Sequence, residues 1–253
     1  MKLLFTVLFS IILGINTFAQ DLISVTYEGY VKSEPYRERY KNNPQKLAEM
    51  EREFEAASKI PSIHILTMNK EEASFVLEER IMNEQPSEGL SVKVRFTASN
   101  DIYVNLKEEY VLGEHQLGNK TYTIKEPLKP IDWKITSEKK VILGMEVRKA
   151  TAVYDSITKA EAWYAPKISY KTGPSDYWGL PGLILELNSN TKYENGVNVE
   201  VRYIATQIDT NPKSAKIKKI EKHQLITQEE YDRMLDEMQK AYQEMHSEGI
   251  GKD

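Results

Sequence analysis

A chain of 253 residues with 34 basic and 38 acidic side chains carries a net charge of −4, and the two signs are interspersed along it. That distribution leaves no basic stripe to neutralise phosphates, so nucleic acid is not an expected partner. The complete absence of cysteine excludes disulfides, thiolate metal sites, cysteine nucleophiles and a thiol-linked lipid anchor, which leaves stability to packing.

In chain order, Lys2, the apolar stretch from Leu3 to Ile15 and the small-residue site Thr17-Phe18-Ala19 make residues 1–19 a predicted signal peptide, cleaved before Gln20. The apolar stretch is shorter than the ~20 residues a spanning helix needs. The expectation is therefore an exported protein, periplasmic or extracellular, with no transmembrane segment after cleavage. Residues 20–253 are expected to form a single β-rich domain, since a chain of that length can bury one core.

Ile23, Val25 and Tyr27 alternate with polar residues and predict a half-buried strand over 22–32. The period then changes: Leu47, Met50, Phe54 and Ala57 recur at helical spacing behind Pro44, which predicts an inserted helix over 43–59. Period two resumes over 62–68, 73–81, 91–98, 102–106, 110–117, 120–125, 133–136, 140–154, 159–165, 183–187 and 197–209. Short polar connections favour antiparallel pairing. The fold class that follows is mainly β: a curved antiparallel sheet, an open barrel or a sandwich.

Between two of these strands, Gly173-Pro174-Ser175-Asp176-Tyr177-Trp178-Gly179-Leu180-Pro181-Gly182-Leu183-Ile184 passes from turn chemistry directly into an apolar run. Pro at the second position and Gly at the third predict a type II turn at Leu180-Pro181-Gly182-Leu183. The last element is a helix over 228–247, opened by a capping box of Thr227 and Glu230 and stopped by Gly249. Tyr231, Met234, Leu235, Met238, Tyr242 and Met245 form its apolar stripe, which is expected to pack on the open face of the sheet.

Catalytic signatures are sparse. His64, His115, His223 and His246 have no partners at metal-ligand spacing, and Glu114 and His115, as strand neighbours, point to opposite faces. No nucleophile elbow, phosphate loop or dinucleotide fingerprint occurs, so neither metal nor cofactor is expected and no catalytic residue is nominated. A hydrolase whose groups come from distant residues stays open as an alternative, as does a structural surface protein associating through exposed strands.

The hexapeptide Gly179 to Ile184, preceded in order by Ile131-Asp132-Trp133-Lys134-Ile135, Lys139-Lys140-Val141-Ile142-Leu143-Gly144, Arg148-Lys149-Ala150 and Ala162-Trp163-Tyr164-Ala165, resembles the signature of the GLPGLI family of exported Bacteroidetes proteins. The likeness covers residues 131–188, with weaker echoes at 25–31 and 73–79. Where relatives place an aromatic and then a cysteine, this chain has Met145-Glu146-Val147, so no thiol role can carry over. The family implies no established activity. The expectation is a non-catalytic binding or accessory protein of the cell envelope, holding an apolar ligand or an extended segment of an envelope protein. Trp163, Tyr164, Tyr177 and Trp178 are its candidate binding residues, with Trp163 and Trp178 lining a groove beside the Pro181-Gly182 turn. Asp155-Ser156-Ile157 resembles the acceptor used for O-glycosylation of such proteins, which makes Ser156 a candidate acceptor.

Overall fold

The computed structural model describes residues 22–34, 37–78, 101–220 and 223–247. The predicted signal peptide, its cleavage site and the strand expected over 91–98 lie outside those residues. The rest is built on one open, mixed sheet of twelve strands with two α-helices, which selects a curved open sheet over a two-sheet sandwich.

The first strand, β1 (Ile23–Ser33), is central. On one side the chain meanders outward through β2 (Ser62–Met68), β3 (Glu72–Leu77), β4 (Ile102–Asn105), β5 (Tyr110–Leu117) and β6 (Lys120–Pro127). On the other side β7 (Lys134–Ile142) is the outer edge, followed inward by β8 (Met145–Val153), β9 (Thr158–Ala165), β10 (Leu183–Lys192) and β11 (Asn198–Asp209). β11 pairs antiparallel with β1 and so joins the two meanders. A three-residue strand, β12 (Gln224–Ile226), crosses to the far edge and pairs parallel with β6. It is the only parallel pairing among the described strands, and it makes the sheet mixed.

The expected continuous strand over 140–154 is in fact two. Leu143 and Gly144 both have positive φ, 49° and 75°, and their tight turn folds β7 back onto β8. Paired left-handed residues match the twist of a two-residue hairpin loop, but Leu at the first position hides that turn among β-formers. β7 also carries an irregularity between Ile135 and Lys139 and is rich in lysine, both of which discourage uncontrolled edge pairing.

α1 (Pro44–Ser58) starts where Asn43 accepts the Lys46 amide and buries Met50, Phe54 and Ala57, packing beside β1. α2 (Gln228–Ser247) opens on the expected box: the Thr227 amide donates to Glu230 at 2.8 Å, and the Glu230 amide donates to Thr227 Oγ1 at 3.1 Å. Its first turns pack Tyr231 and Met234 against Tyr122, Ile124 and Ile226 at the β6 edge of the sheet. Among the described residues no helix is long and apolar enough to cross a membrane.

The main core gathers Val25, Tyr27, Leu66, Met68, Phe75, Leu183 and Leu185 from both meanders, each worth roughly 1.5–3 kcal/mol when fully buried. Tyr27 Oη donates to the Ile184 carbonyl at 2.5 Å and ties the central strand to the start of β10.

Candidate binding groove

Strand register builds the site. Lys134, Thr151, Glu161, Asn188 and Arg202 are consecutive cross-strand partners from β7 to β11, so their side chains share one face in one row. Two residues along, Val153, Lys159, Asn190 and Glu200 form a second row on that face. Two residues the other way, Lys149, Trp163 and Glu186 form a third. The first two rows, with Asp132 at the rim, line a groove of about 720 Å³.

The third row is a locked base for the groove. Glu186 is buried, with only 7% of its side chain exposed, and accepts Lys140 Nζ at 2.6 Å and Arg202 Nη2 at 2.9 Å. Burial alone would raise its carboxyl, but the hydrogen bonds and charges of Lys140 and then Arg202 outweigh this and hold it below the usual carboxylate range. Lys140 also sits 4.2 Å from the Trp163 ring centre, with Lys149 over the same ring. Lys149 bridges to Glu161 at 3.0 Å, and Trp163 Nε1 donates to Glu161 Oε1 at 3.1 Å. The indole thus serves as a spacer between paired charges.

The four aromatics nominated from sequence divide among three places. Trp163 is buried in the main core cluster and points toward the charged face, whereas Tyr164, its strand neighbour, packs with Tyr177, Leu180, Ile184 and Leu187 in a second cluster. Trp178 is half-buried in a different setting: its Nε1 donates to the Lys129 carbonyl at 2.9 Å, while Trp133 Nε1 donates to the Trp178 carbonyl at 2.8 Å. No ring contact joins Trp163 to Trp178 among the described residues, and neither lines the groove over β7 to β11. Alternation along β9 sends Trp163 and Tyr164 to opposite faces of the sheet.

The Gly179-Leu180-Pro181-Gly182-Leu183-Ile184 segment is a corner of different geometry from the expected type II turn. The Gly182 amide donates to the Leu180 carbonyl at 2.8 Å, closing a three-residue turn around Pro181, and the Leu183 amide goes instead to Ile168 at 3.0 Å. Gly182 is required by proximity. A Cβ there would sit 2.7 Å from the Ala165 carbonyl carbon, 3.0 Å from Pro166 Cα and closer still to the Ala165 oxygen.

Ser156 is exposed in the β8–β9 hairpin, where Asp155 accepts the amides of Ile157 and Thr158. A smaller cavity of about 210 Å³ brings together His115, Ser175, Asp176, Glu126 and Gln228. Ser175 Oγ pairs with its neighbour Asp176 at 3.2 Å, and no hydrogen bond connects it to His115 among the described residues. His115 lies against the Tyr231 ring, and burial lowers its pKa. These groups share a cavity without forming a nucleophile and base.

Sequence reading passed over Lys134, Lys159, Glu161, Glu186, Asn188, Asn190, Glu200 and Arg202. Their signal is the alternation Lys159-Ala-Glu161-Ala-Trp163 and Glu186-Leu-Asn188-Ser-Asn190, which reads as a solvated strand face until register aligns the rows.

Residues 153–186 match a family described as a protein of unknown function (Porph_ging), a span that includes β9, the corner and the start of β10. Comparison with curated proteins gives no match. Two structures of PNGF-II, in different space groups, are similar in fold. One aligns with a TM-score of 0.50 and 19% identity over 85% of this chain and 33% of that one. The other gives 0.49 and 18% over 84% and 32%. The chain thus spans about a third of the PNGF-II chains it matches. An uncharacterised conserved protein from Thermus thermophilus aligns with a TM-score of 0.32 and 10% identity over 83% of this chain and 92% of that one.

Proposed function

We propose that this chain is an exported, non-catalytic binding or accessory protein of the cell envelope that holds an extended segment of another protein across its open sheet. The observation that carries the reading is the groove over β7 to β11. It is concave, about 720 Å³ in volume and lined by polar side chains whose positions are fixed by strand register. Binding sites are concave and largely preformed, and the locked Glu186 base preorganises this one. Of the two ligand classes expected from sequence, the extended segment suits this groove better than an apolar ligand, because the nominated aromatics are spent in the core or in the Lys129–Trp133 corner.

Export and an envelope location rest on the sequence of residues 1–19 and on the ordered GLPGLI-like motifs. The test is site-specific photo-crosslinking in the native host. A crosslinker at Thr151 or Asn190 should capture a defined protein adduct, and one at Glu49 on α1 should not. Equal capture at all three positions, or none at Thr151 and Asn190, would defeat the reading.

A further inference from the structure

Among the described residues, two lysines in the groove stand without an ion-pair partner, and their placement bears on its occupant. Glu161 is engaged by Lys149 and Trp163, and Glu200 accepts Asn190 Nδ2 at 3.3 Å. Asp132, exposed at the rim, is the lining carboxylate without such an engagement among the described residues. Of the cations, Arg202 is bound to Glu186, but Lys134 and Lys159 are exposed and have no carboxylate within ion-pair reach among the described residues. The two unpaired ammonium groups flank Thr151 on the intervening strand β8, and Asn188 lies beyond Lys159 on β10; the Thr151 and Asn188 side chains are likewise uncommitted among the described residues.

Register gives the spacing of the two lysines. Lys134 is in the first row on β7, and Lys159 is in the second row on β9. Two strand steps of about 4.8 Å and a two-residue offset of about 6.8 Å place their Cα atoms roughly 12 Å apart. In an extended chain, residues i and i+4 are about 13 Å apart and point to the same side. A spacing of two residues is too short, and a spacing of three points the second group away.

Resting on the proposed binding of an extended segment, we infer that the segment is acidic, with two carboxylates four residues apart that pair with Lys134 and Lys159. The Thr151 hydroxyl, on the strand between the two anchors, then meets its backbone. The charge pairing is half-solvated, so it sets partner choice more than total affinity.

Fluorescence anisotropy with three labelled pentapeptides, Glu-Thr-Val-Thr-Glu, Gln-Thr-Val-Thr-Gln and Lys-Thr-Val-Thr-Lys, tests this on the folded chain. The acidic peptide should bind at least about tenfold more tightly than the basic one, and about 0.5 M salt should shrink the difference. Lys134→Gln/Lys159→Gln should abolish the preference, Lys134→Arg/Lys159→Arg should retain it, and both should melt as the parent does. If all three peptides bind equally, the acidic inference falls and the extended-segment reading stands. If none binds at about 1 mM, both fall. Tight acidic binding that survives the double Gln variant would place the site elsewhere and overturn the inference.

Discussion

Gly182→Ala is the sharpest test of the corner between β9 and β10. The added methyl would lie 2.7 Å from the Ala165 carbonyl carbon and 3.0 Å from Pro166 Cα, where ordinary contacts need more than 3.4 Å. Ala165 is fully buried, and its carbonyl also accepts the Ile168 amide at 3.1 Å, so it cannot retreat without breaking that bond. Overpacking of this kind costs about 1–3 kcal/mol. Disturbing the Ile168 bond adds about 1 kcal/mol, while the stiffer unfolded chain returns roughly 0.4–1 kcal/mol. The expected net loss is about 1–3.6 kcal/mol, centred a little above ~2 kcal/mol, or a fall of roughly 2–14 °C in Tm for a domain of this size. Gly196→Ala is the matched control: its φ is 82° but nothing lies within 4 Å of the added methyl, so only the left-handed penalty of about 1 kcal/mol applies. Urea unfolding of both variants measures the difference. Equal losses would show that backbone conformation, and not the Ala165 approach, demands glycine at position 182, and would refute the packing argument.

Three further outcomes follow from named contacts. Glu186→Gln removes the shared partner of Lys140 and Arg202 and should cost about 1–3 kcal/mol at neutral pH by chemical denaturation. Because the folded carboxyl is held below its unfolded value, its contribution is present above the unfolded pKa of about 4.3 and is lost as pH falls through the folded value. The variant should therefore show a shallower acid limb than the parent, and an unchanged limb would contradict the ion-pair assignment. Thr227→Ala should destabilise the start of α2 by about 1 kcal/mol, seen as faster amide exchange at Glu229 to Tyr231 with little change over β1 to β3. Trp133→Phe deletes the hydrogen bond to the Trp178 carbonyl and should cost about 1 kcal/mol in melting experiments, with a change in the Trp178 emission.

Periodicity carried much of the fold because its signals are local. Alternation at Ile23, Val25 and Tyr27 marked the central strand, and the helical stripes and the Thr227–Glu230 box placed both helices to within a residue or so. Features set by backbone conformation or by distant partners were not legible. Leu143 in a left-handed turn looks like any strand leucine, and β12 is three residues held by its pairing with β6. The Pro181-Gly182 turn chemistry was visible, but its hydrogen bonds depend on Ile168, which no local rule supplies. The groove was the least legible part. Each of its strands shows only polar alternation, and a site exists because four pairings bring Lys134, Thr151, Glu161, Asn188 and Arg202 into one row. Trp163 illustrates the converse, since a large aromatic in a recognisable motif turns out to separate ion pairs beside that row.

The most direct measurement is amide chemical-shift mapping of the isotopically labelled chain during titration with Glu-Thr-Val-Thr-Glu. Perturbations concentrated at Lys134, Thr151, Lys159, Glu161, Asn188 and Asn190, and lost in the Lys134→Gln/Lys159→Gln variant, are the predicted result. Shifts confined to α2 and β12, or no shifts at saturating peptide, would contradict the assignment of the groove as the binding site.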